Sequence, residues 1–159
     1  ELDSEIKSDY PEDKVRQPIR IILDRQNRLT PDLRLFSLPG DIYLVRTQKG
    51  TENWSENVEQ LIVPEYNGGI DLVVLMMQLG RRQINTIWTE AGPTIAGALI
   101  QAGLVDELIL YMAPKLLGDE ARGLCKLPGL KQLSQVPEFI LQDVQQIGKD
   151  LRLRLLSGA

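Results

Sequence analysis

The sequence contains no histidine and only one cysteine, Cys125. Without histidine, the chain cannot use an imidazole as a general base or as a metal ligand. A single cysteine excludes an internal disulfide and a cysteine-rich zinc site. We therefore interpret Cys125 as a small apolar residue rather than as a nucleophile, and we expect no metal site.

Long apolar runs and an excess of positive charge are also absent. No run approaches the roughly 20 apolar residues that span a bilayer, and the sequence shows no signal peptide. The 18 Lys and Arg residues are outnumbered by 22 Asp and Glu residues, so the formal net charge is −4. A general binder of nucleic acid or membrane would carry a basic excess. These features predict a cytoplasmic protein with neither partner, while leaving room for a local basic pocket that binds a small anion.

The composition that remains is typical of one globular domain. The 159 residues are 43% hydrophobic and 25% charged, which is enough to bury a substantial core. Residues 1–17 are polar, with Pro11 and Pro18 as breakers, so we interpret them as a lead-in segment. The sequence thus predicts a single domain over residues 1–159.

Apolar periodicity predicts strands that alternate with helices through the middle of the chain. The predicted strands are Ile19–Leu23, Ile42–Thr47, Leu61–Val63, Ile84–Glu90 and Glu107–Met112, and the predicted helices are Asp71–Gly80 and Pro93–Ala102. This alternation favours βαβ units, and therefore a three-layer α/β domain with a mainly parallel sheet.

A hairpin is expected at the C-terminal end. Two strand-like segments, Phe139–Ile147 and Leu151–Leu156, are separated by Gly148-Lys149-Asp150. Leucines alternate with Arg152 and Arg154 in the second segment, which predicts one solvent-exposed face. The hairpin is expected to make the sheet mixed.

The junction between the strand predicted at Ile84–Glu90 and the following helix is the most informative stretch. Free backbone N–H groups in the first helical turn, around Thr94 to Ala96, can bind a phosphate. Gly92 and Gly97 would permit close approach of a ligand or of a neighbouring segment. The alternative is an ordinary helix start with small residues chosen for tight packing. The spacing is not that of a Rossmann fingerprint.

Other polar residues leave two interpretations open. Glu90 could accept hydrogen bonds from a ligand, or it could be a rim carboxylate in water or in a structural salt bridge. The loop Lys115–Leu124 could line a site or merely connect elements. Four arginines near the first strand could recognise a phosphate, but a solvated loop is the favoured interpretation: Arg20, Arg25, Arg28 and Arg34. We interpret Trp54 and Trp88 as packing residues.

Several motifs resemble one protein family closely. The segments are Arg16-Gln17-Pro18-Ile19-Arg20-Ile21, Trp88-Thr89-Glu90-Ala91-Gly92-Pro93-Thr94-Ile95-Ala96-Gly97-Ala98-Leu99, Gln101-Ala102-Gly103-Leu104-Val105-Asp106-Glu107-Leu108, Ala113-Pro114-Lys115-Leu116-Leu117-Gly118, and the C-terminal hairpin. They resemble the reductase half of the bifunctional riboflavin-biosynthesis deaminase/reductase, and the likeness covers nearly the whole chain.

The resemblance implies a dihydrofolate-reductase-like α/β fold and an NADPH-dependent oxidoreductase. The implied reaction reduces 5-amino-6-(5-phosphoribosylamino)uracil to its ribitylamino product, by hydride transfer to the sugar carbon of the open-chain imine. The cofactor carries that chemistry, and the protein supplies orientation and electrostatics.

The resemblance also implies roles for individual residues. Glu90 matches the substrate-binding glutamate of the family, and a continuous segment matches its NADP-binding loop and helix start: Gly92, Pro93, Thr94, Ile95, Ala96, Gly97 and Ala98. Arg25 matches a position that contacts NADP, where we expect a serine in relatives. No residue is assigned as a general acid or base.

Other parts of the family pattern have no counterpart in this sequence. The family's zinc deaminase half carries an H-x-E…P-C-x-x-C motif, which a chain with no histidine and one cysteine does not contain. The opening strand and helix of the reductase half are also expected to precede Glu1. We therefore expect a C-terminal piece of the reductase domain, with an unpaired sheet edge that favours a homodimer.

Three hypotheses for function follow. The first is the riboflavin-biosynthesis reductase, with NADPH binding at Gly92–Ala98. The second is a non-enzymatic folding or dimerisation module that is inactive without the upstream part. The third is a relative that reduces a different pteridine or pyrimidine with NADPH.

Overall fold

A computed structural model describes residues 17–158 of the chain. The predicted lead-in segment lies outside these residues, apart from Gln17. The chain divides into two compact units between Leu75 and Met76, and each unit is described here by itself. The expectation of one domain over residues 1–159 stays a prediction.

The first unit is built on a parallel sheet. Its elements are β1 (Arg20–Leu23), α1 (Arg34–Ser37), β2 (Ile42–Arg46), β3 (Val58–Ile62), β4 (Glu65–Tyr66) and β5 (Gly69–Ile70). The strand order is β1-β2-β3, with both pairs parallel, while β4 and β5 form a short antiparallel pair. The first three predicted strands are confirmed, although β3 begins three residues earlier than expected. The sequence did not predict α1 or the β4–β5 pair.

The central strand β2 provides the core of this unit. Ile42, Leu44 and Val45 are fully buried, as expected for a strand that lies between two parallel neighbours. Phe36 packs with Ile42 and Leu44. The centroids of the Phe36 and Trp54 rings lie 4.6 Å apart, in an edge-to-face arrangement. The interpretation of Trp54 as a packing residue is therefore confirmed.

A buried ion pair joins the carboxyl ends of β1 and β2. The Arg46 guanidinium donates to Asp24 Oδ2 from Nε at 3.0 Å and from Nη2 at 2.8 Å. Asp24 Oδ1 in turn accepts the amide of Arg28 at 2.8 Å, which fixes the loop after β1. Glu52 accepts a further bond from Arg46 Nη1 at 2.8 Å. These contacts satisfy a charge that would be costly to bury alone.

The same cluster changes the pKa values of its members. Burial alone lowers the pKa of Arg46, but its hydrogen bonds to Glu52 and Asp24 outweigh burial and leave that pKa raised. The hydrogen bond from Arg46 lowers the pKa of Glu52. Both side chains are therefore held in their charged forms.

The helix α2 (Leu72–Arg81) confirms the amphipathic prediction for this stretch. Asp71 caps its start, because Asp71 Oδ1 accepts the amide of Val74 at 3.0 Å. The helix ends one residue after Gly80. The chain then turns at Gln83, whose φ of 61° lies in the left-handed region.

The prediction of a strand at Ile84–Glu90 is wrong. In the described part of the chain, residues 84–90 belong to none of the three sheets. A strand needs a hydrogen-bonded neighbour as well as a β-like composition, and this segment has the composition alone. The amide of Ile84 donates instead to Leu79 O at 3.2 Å, which closes the end of α2.

The second unit contains a helix followed by an antiparallel sheet. Its elements are α3 (Pro93–Gln101), β6 (Glu107–Met112), a 3-10 turn (Leu133–Gln135), β7 (Phe139–Ile147) and β8 (Asp150–Ser157). As expected, the helix ends before Gly103, whose φ of 65° lies in the left-handed region. The β7–β8 hairpin is confirmed, with Gly148 at φ 60° in its turn. It belongs to the sheet β6-β8-β7 rather than extending the parallel sheet into a mixed one.

Charged pairs line the exposed side of the antiparallel sheet. Arg154 donates to both carboxylate oxygens of Glu107, from Nε at 2.6 Å and from Nη2 at 3.1 Å. Arg152 Nη2 donates to Asp143 at 3.2 Å. The Arg154 hydrogen bonds lower the pKa of Glu107, and the pKa of Arg154 is correspondingly raised. The two arginines thus tie β8 to both of its neighbours.

The α/β class, with parallel strands followed by a C-terminal antiparallel hairpin, is confirmed. Among residues 17–158, no helix is long and apolar enough to cross a membrane.

Candidate functional site

The start of α3 exposes backbone donors where the sequence predicted an anion site. Gly92 precedes the helix with extended backbone angles, and Pro93 occupies the first turn. The amide of Ala96 donates to Gly92 O at 3.1 Å, so it is already used within the helix. Within residues 17–158, the amides of Thr94 and Ile95 have no such partner. The donors for a ligand are therefore two amides, Thr94 and Ile95, rather than the three expected.

The segment around Lys126 closes tightly over this helix start. The amide of Lys126 donates to Pro93 O at 2.8 Å. Gly97 is buried, and a Cβ atom at that position would overlap the carbonyl oxygen of Lys126 and lie 2.7 Å from its carbonyl carbon. Real Cβ atoms do not approach backbone so closely, so glycine is required here. This confirms the packing interpretation for Gly97, and it also fixes the wall of the adjoining groove.

An open groove of about 750 Å³ lies at this helix start. It is lined by Gly92, Pro93, Thr94, Ile95, Glu120, Arg122 and Lys126. Two of these residues, Glu120 and Arg122, come from the loop Lys115–Leu124, which therefore lines a groove rather than merely connecting elements. The sequence reasoning missed Lys126, since the only signal was a basic residue next to Cys125.

The charges in the groove favour an anion. Arg122 and Lys126 are both exposed, and no carboxylate is paired with either of them in the part of the chain that the structure describes. Glu120 is the one acidic residue in the lining. The helix start adds the partial positive charge of its amides. The groove can hold a phosphate group between backbone donors and two cations.

Glu90 lies just before the helix start but not at the end of a strand. It is exposed, and its Oε1 atom accepts a hydrogen bond from Trp88 Nε1 at 3.1 Å. Trp88 is 70% exposed, so its interpretation as a packing residue is wrong. The side chain of Trp88 orients Glu90 instead of filling a core. This pair offers a carboxylate and an aromatic ring beside the groove residue Gly92.

The arginines near β1 lie in the first unit and have separate roles. Arg20 donates to the carbonyl oxygens of Leu35 at 2.9 Å and of Leu38 at 2.9 Å, so it holds the loop before β2. Arg25 pairs with Glu65 at 3.3 Å. Arg28 and Arg34 are exposed. By their contacts among the described residues the four form no common phosphate site. The favoured interpretation of a solvated loop agrees with Arg28 and Arg34 but is wrong for Arg20, which is held by carbonyl oxygens.

Metal-ligating side chains do not gather in the described part of the chain. Residues 17–158 contain no group of three or more Cys, Asp or Glu residues that could hold a metal ion. Cys125, the free cysteine, is half-buried next to the groove residue Lys126.

Comparison with known proteins connects this geometry to a family. The family model for the RibD C-terminal domain matches residues 3–153. The chain is 55% identical to the riboflavin biosynthesis protein RibD of Escherichia coli over 99% of its own length and 43% of that protein. It is 39% identical to the 5-amino-6-(5-phosphoribosylamino)uracil reductase of Buchnera aphidicola, covering 98% of this chain and 75% of that one.

Solved structures agree on the fold. RibD of Acinetobacter baumannii superposes with a TM-score of 0.76 at 30% identity, over 95% of this chain and 40% of that one. The Saccharomyces cerevisiae Riboflavin Biosynthesis Reductase Rib7 gives a TM-score of 0.69 at 18% identity, over 89% of this chain and 70% of that one. The fold is that of these reductase domains, which are dihydrofolate-reductase-like, as predicted. The chain spans less than half the length of the RibD proteins it matches.

Proposed function

Because the chain belongs to the RibD C-terminal domain family, we propose that it is the reductase part of a riboflavin-biosynthesis protein. The proposed reaction is the NADPH-dependent reduction of 5-amino-6-(5-phosphoribosylamino)uracil to 5-amino-6-(5-phosphoribitylamino)uracil. Its strongest support is the relative of that name in Buchnera aphidicola, of which this chain covers three quarters.

We propose that the groove at the start of α3 binds a nicotinamide dinucleotide. When bound, NADPH would supply the hydride and water the proton that completes the reduction, so the chain's own residues bind, orient and shield the reacting groups. The free amides of Thr94 and Ile95 and the cations Arg122 and Lys126 suit a phosphorylated cofactor. We assign Gly92 through Ala98 to its binding, with Gly97 acting through its contact with Lys126.

Glu90 is proposed to hold the substrate. Its carboxylate can accept hydrogen bonds from the N–H groups of a pyrimidine or from sugar hydroxyls, and the indole of Trp88 restrains it. No bond to a reacting atom is assigned to Glu90, so its role is binding rather than proton transfer. Arg25 is proposed as a further cofactor contact. To bind the cofactor, its guanidinium must break the exposed salt bridge to Glu65 or bind both groups at once.

The oligomeric state is proposed to be a homodimer. In the second unit, β7 is a long edge strand with exposed apolar residues, among them Ile140 and Val144. Exposed apolar edges of this kind favour pairing with another chain. Dimerisation alone is the main alternative function, since a non-catalytic module would show the same surface.

Turnover by the purified chain tests the proposal. With NADPH and the phosphoribosylaminouracil, we expect loss of NADPH absorbance and a product that is heavier by two hydrogens. Glu90→Gln should raise KM for the pyrimidine without changing the Kd for NADPH, whereas Glu56→Gln, at an exposed position in the first unit, should change neither. A folded chain that self-associates but neither binds NADPH nor yields product would support the non-catalytic alternative instead.

A further inference from the structure

One buried arginine contacts both loops that follow the carboxyl ends of β1 and β2. Arg46 is fully buried, and its Nη2 atom donates to Leu29 O, in the loop after β1, at 3.1 Å. Its Nη1 atom donates to Glu52, in the loop after β2, at 2.8 Å and to Gln60 Oε1 at 3.1 Å. A buried ion pair is a weak source of stability, because apolar residues of similar volume hold a fold as well or better. The location of this network at a loop edge therefore indicates a role beyond stability.

Asp24 and Arg46 together fix the backbone of the loop after β1. The carboxylate of Asp24, which is paired with Arg46, accepts the amide of Arg28 at 2.8 Å and the amide of Leu29 at 3.3 Å. The carbonyl of Leu29 accepts from Arg46. The loop is thus held through both its donors and one of its acceptors.

The opposite side of the same guanidinium holds the loop after β2. The Gln60 Oε1 atom that accepts from Arg46 also accepts the amide of Gly50 at 2.9 Å. A Cβ atom at position 50 would overlap both the Arg46 guanidinium and the Glu52 carboxylate, so the backbone lies directly against the pair. One side chain therefore sets the positions of two loops that follow neighbouring strands.

Arg25 lies on the first of these loops, directly after Asp24. Its carbonyl accepts a hydrogen bond from Thr47 Oγ1 at 3.2 Å, and Thr47 directly follows Arg46 in the chain. Its guanidinium is 35% exposed and pairs with the exposed carboxylate of Glu65. The side chain of Arg25 can therefore reach a ligand, while its backbone is fixed through the network.

Resting on the proposed function, we propose that Arg46 is a positioning residue for cofactor binding and acts through Arg25. The buried guanidinium holds the loop that carries Arg25, and this places the Arg25 side chain for an anionic group of the nicotinamide dinucleotide. In open α/β sheets, ligands bind outside the carboxyl ends of the strands, which is where these two loops lie. Arg46 itself is fully buried and contacts no reacting atom, so its removal weakens cofactor binding without slowing the chemical step.

A double-mutant cycle on the Kd of the folded chain for NADPH tests this proposal. Arg46 is removed together with the charge of Asp24, as Asp24→Asn/Arg46→Met, because asparagine still accepts a loop amide and no unpaired buried charge remains. Arg25→Gln and this double variant should each raise the Kd about fivefold, and their combination should also raise it about fivefold rather than about 25-fold. The kcat at saturating NADPH should stay that of the parent.

Two further variants keep the test decisive. Glu52→Gln retains the pair of Asp24 and Arg46, so it replaces the double variant in the cycle if that variant does not fold. It should raise the Kd about twofold by loosening the loop after β2, and it should add nothing to Arg25→Gln. Arg154→Met is the matched control, because it breaks another two-donor ion pair in the second unit and should leave the Kd unchanged.

The outcomes separate this proposal from the proposed function. Additive losses would show that Arg46 does not act through Arg25, and they would overturn the proposal. It is also overturned by an unchanged Kd in Arg25→Gln or in the folded network variant, or by a lowered kcat at unchanged KM for NADPH; these results leave the reductase proposal standing. A folded parent chain that does not bind NADPH would instead contradict the proposed function itself.

Discussion

Gly97 lies so close to the backbone of Lys126 that a Cβ atom at position 97 would overlap the Lys126 carbonyl oxygen. The contact joins α3, one turn after its start, to the segment that carries the basic wall of the groove. Rigid backbone lies on both sides, so neither side can move away cheaply. The shape of the groove therefore depends on glycine, with no side chain, at position 97.

Replacing Gly97 with alanine should destabilise the chain. Alanine gains about 1 kcal/mol of helix propensity over glycine, but overlap this deep with fixed backbone costs about 3 kcal/mol or more, so we expect a net loss of about 2 kcal/mol. Urea unfolding measures it. Gly123→Ala is the control, since its Cβ would meet open space and its φ is not in the left-handed region. A variant at position 97 as stable as the parent would contradict the contact.

Removing the buried guanidinium of Arg46 should cost far more than removing an exposed one. Arg46→Met leaves the carboxylate of Asp24, 4% exposed, without its partner, and we expect a loss of about 3–5 kcal/mol in the free energy of unfolding. Arg25→Met breaks the exposed pair with Glu65, and the expected change is about 0–1 kcal/mol. Similar losses for both variants in urea unfolding would show that the Arg46 cluster is not a buried structural pair.

Acid should destabilise the first unit through Glu52. Arg46 lowers the pKa of Glu52 in the folded state, so the unfolded chain binds more protons in the range between the folded and the ordinary value. The stabilisation is present above the ordinary carboxyl pKa and is lost as the pH falls through the lowered one.

Unfolding curves at several pH values test this dependence. Glu52→Gln should flatten the decline of stability in acid, while Glu56→Gln, outside the cluster, should retain the decline of the parent. If the Glu52→Gln variant loses stability in acid as steeply as the parent does, Glu52 is not the source of the pH dependence.

The exposed indole of Trp88 should report on the substrate site. Because Trp88 donates to Glu90 at 3.1 Å, a pyrimidine that displaces this bond should change the fluorescence of the chain. Trp88→Phe removes the donor and should raise KM for the pyrimidine severalfold at unchanged Kd for NADPH. Trp54, the other tryptophan, is packed on Phe36 and should contribute a constant background. A Trp88→Phe variant with the KM of the parent would show that this hydrogen bond does not position Glu90.

Local signals in the sequence predicted most of the elements. Asp71 and Gly103 marked the start of α2 and the end of α3, and Gly148 marked the hairpin turn, because caps and turns depend on a few neighbouring residues. Partners distant in the chain could not be predicted in this way. Ile84–Glu90 has the composition of a strand but finds no partner, and Arg46 is buried only because Asp24 and Glu52 converge on it.

The candidate site shows the same division. The helix start at Gly92–Ala98 was predicted because free amides follow from a local pattern. The basic residues that line the same groove were not, since Lys126 lies more than thirty residues after Pro93 in the chain and contacts it only in the folded structure. The prediction that Glu90 lies at the end of a strand is wrong, because residues 84–90 form no strand. Glu90 nevertheless lies just before the helix start, two residues before Gly92.

The most direct test of the account is a fluorescence titration with NADPH of the parent chain, Thr94→Glu and Thr51→Glu. Both threonines are exposed, and an acidic residue near a helix start does not disturb folding, so all three proteins should fold alike. We predict saturable binding by the parent and by Thr51→Glu, and loss of binding by Thr94→Glu, whose carboxylate would repel the cofactor phosphates. Equal binding by all three, or no binding by a folded parent, would contradict a cofactor site at the start of α3.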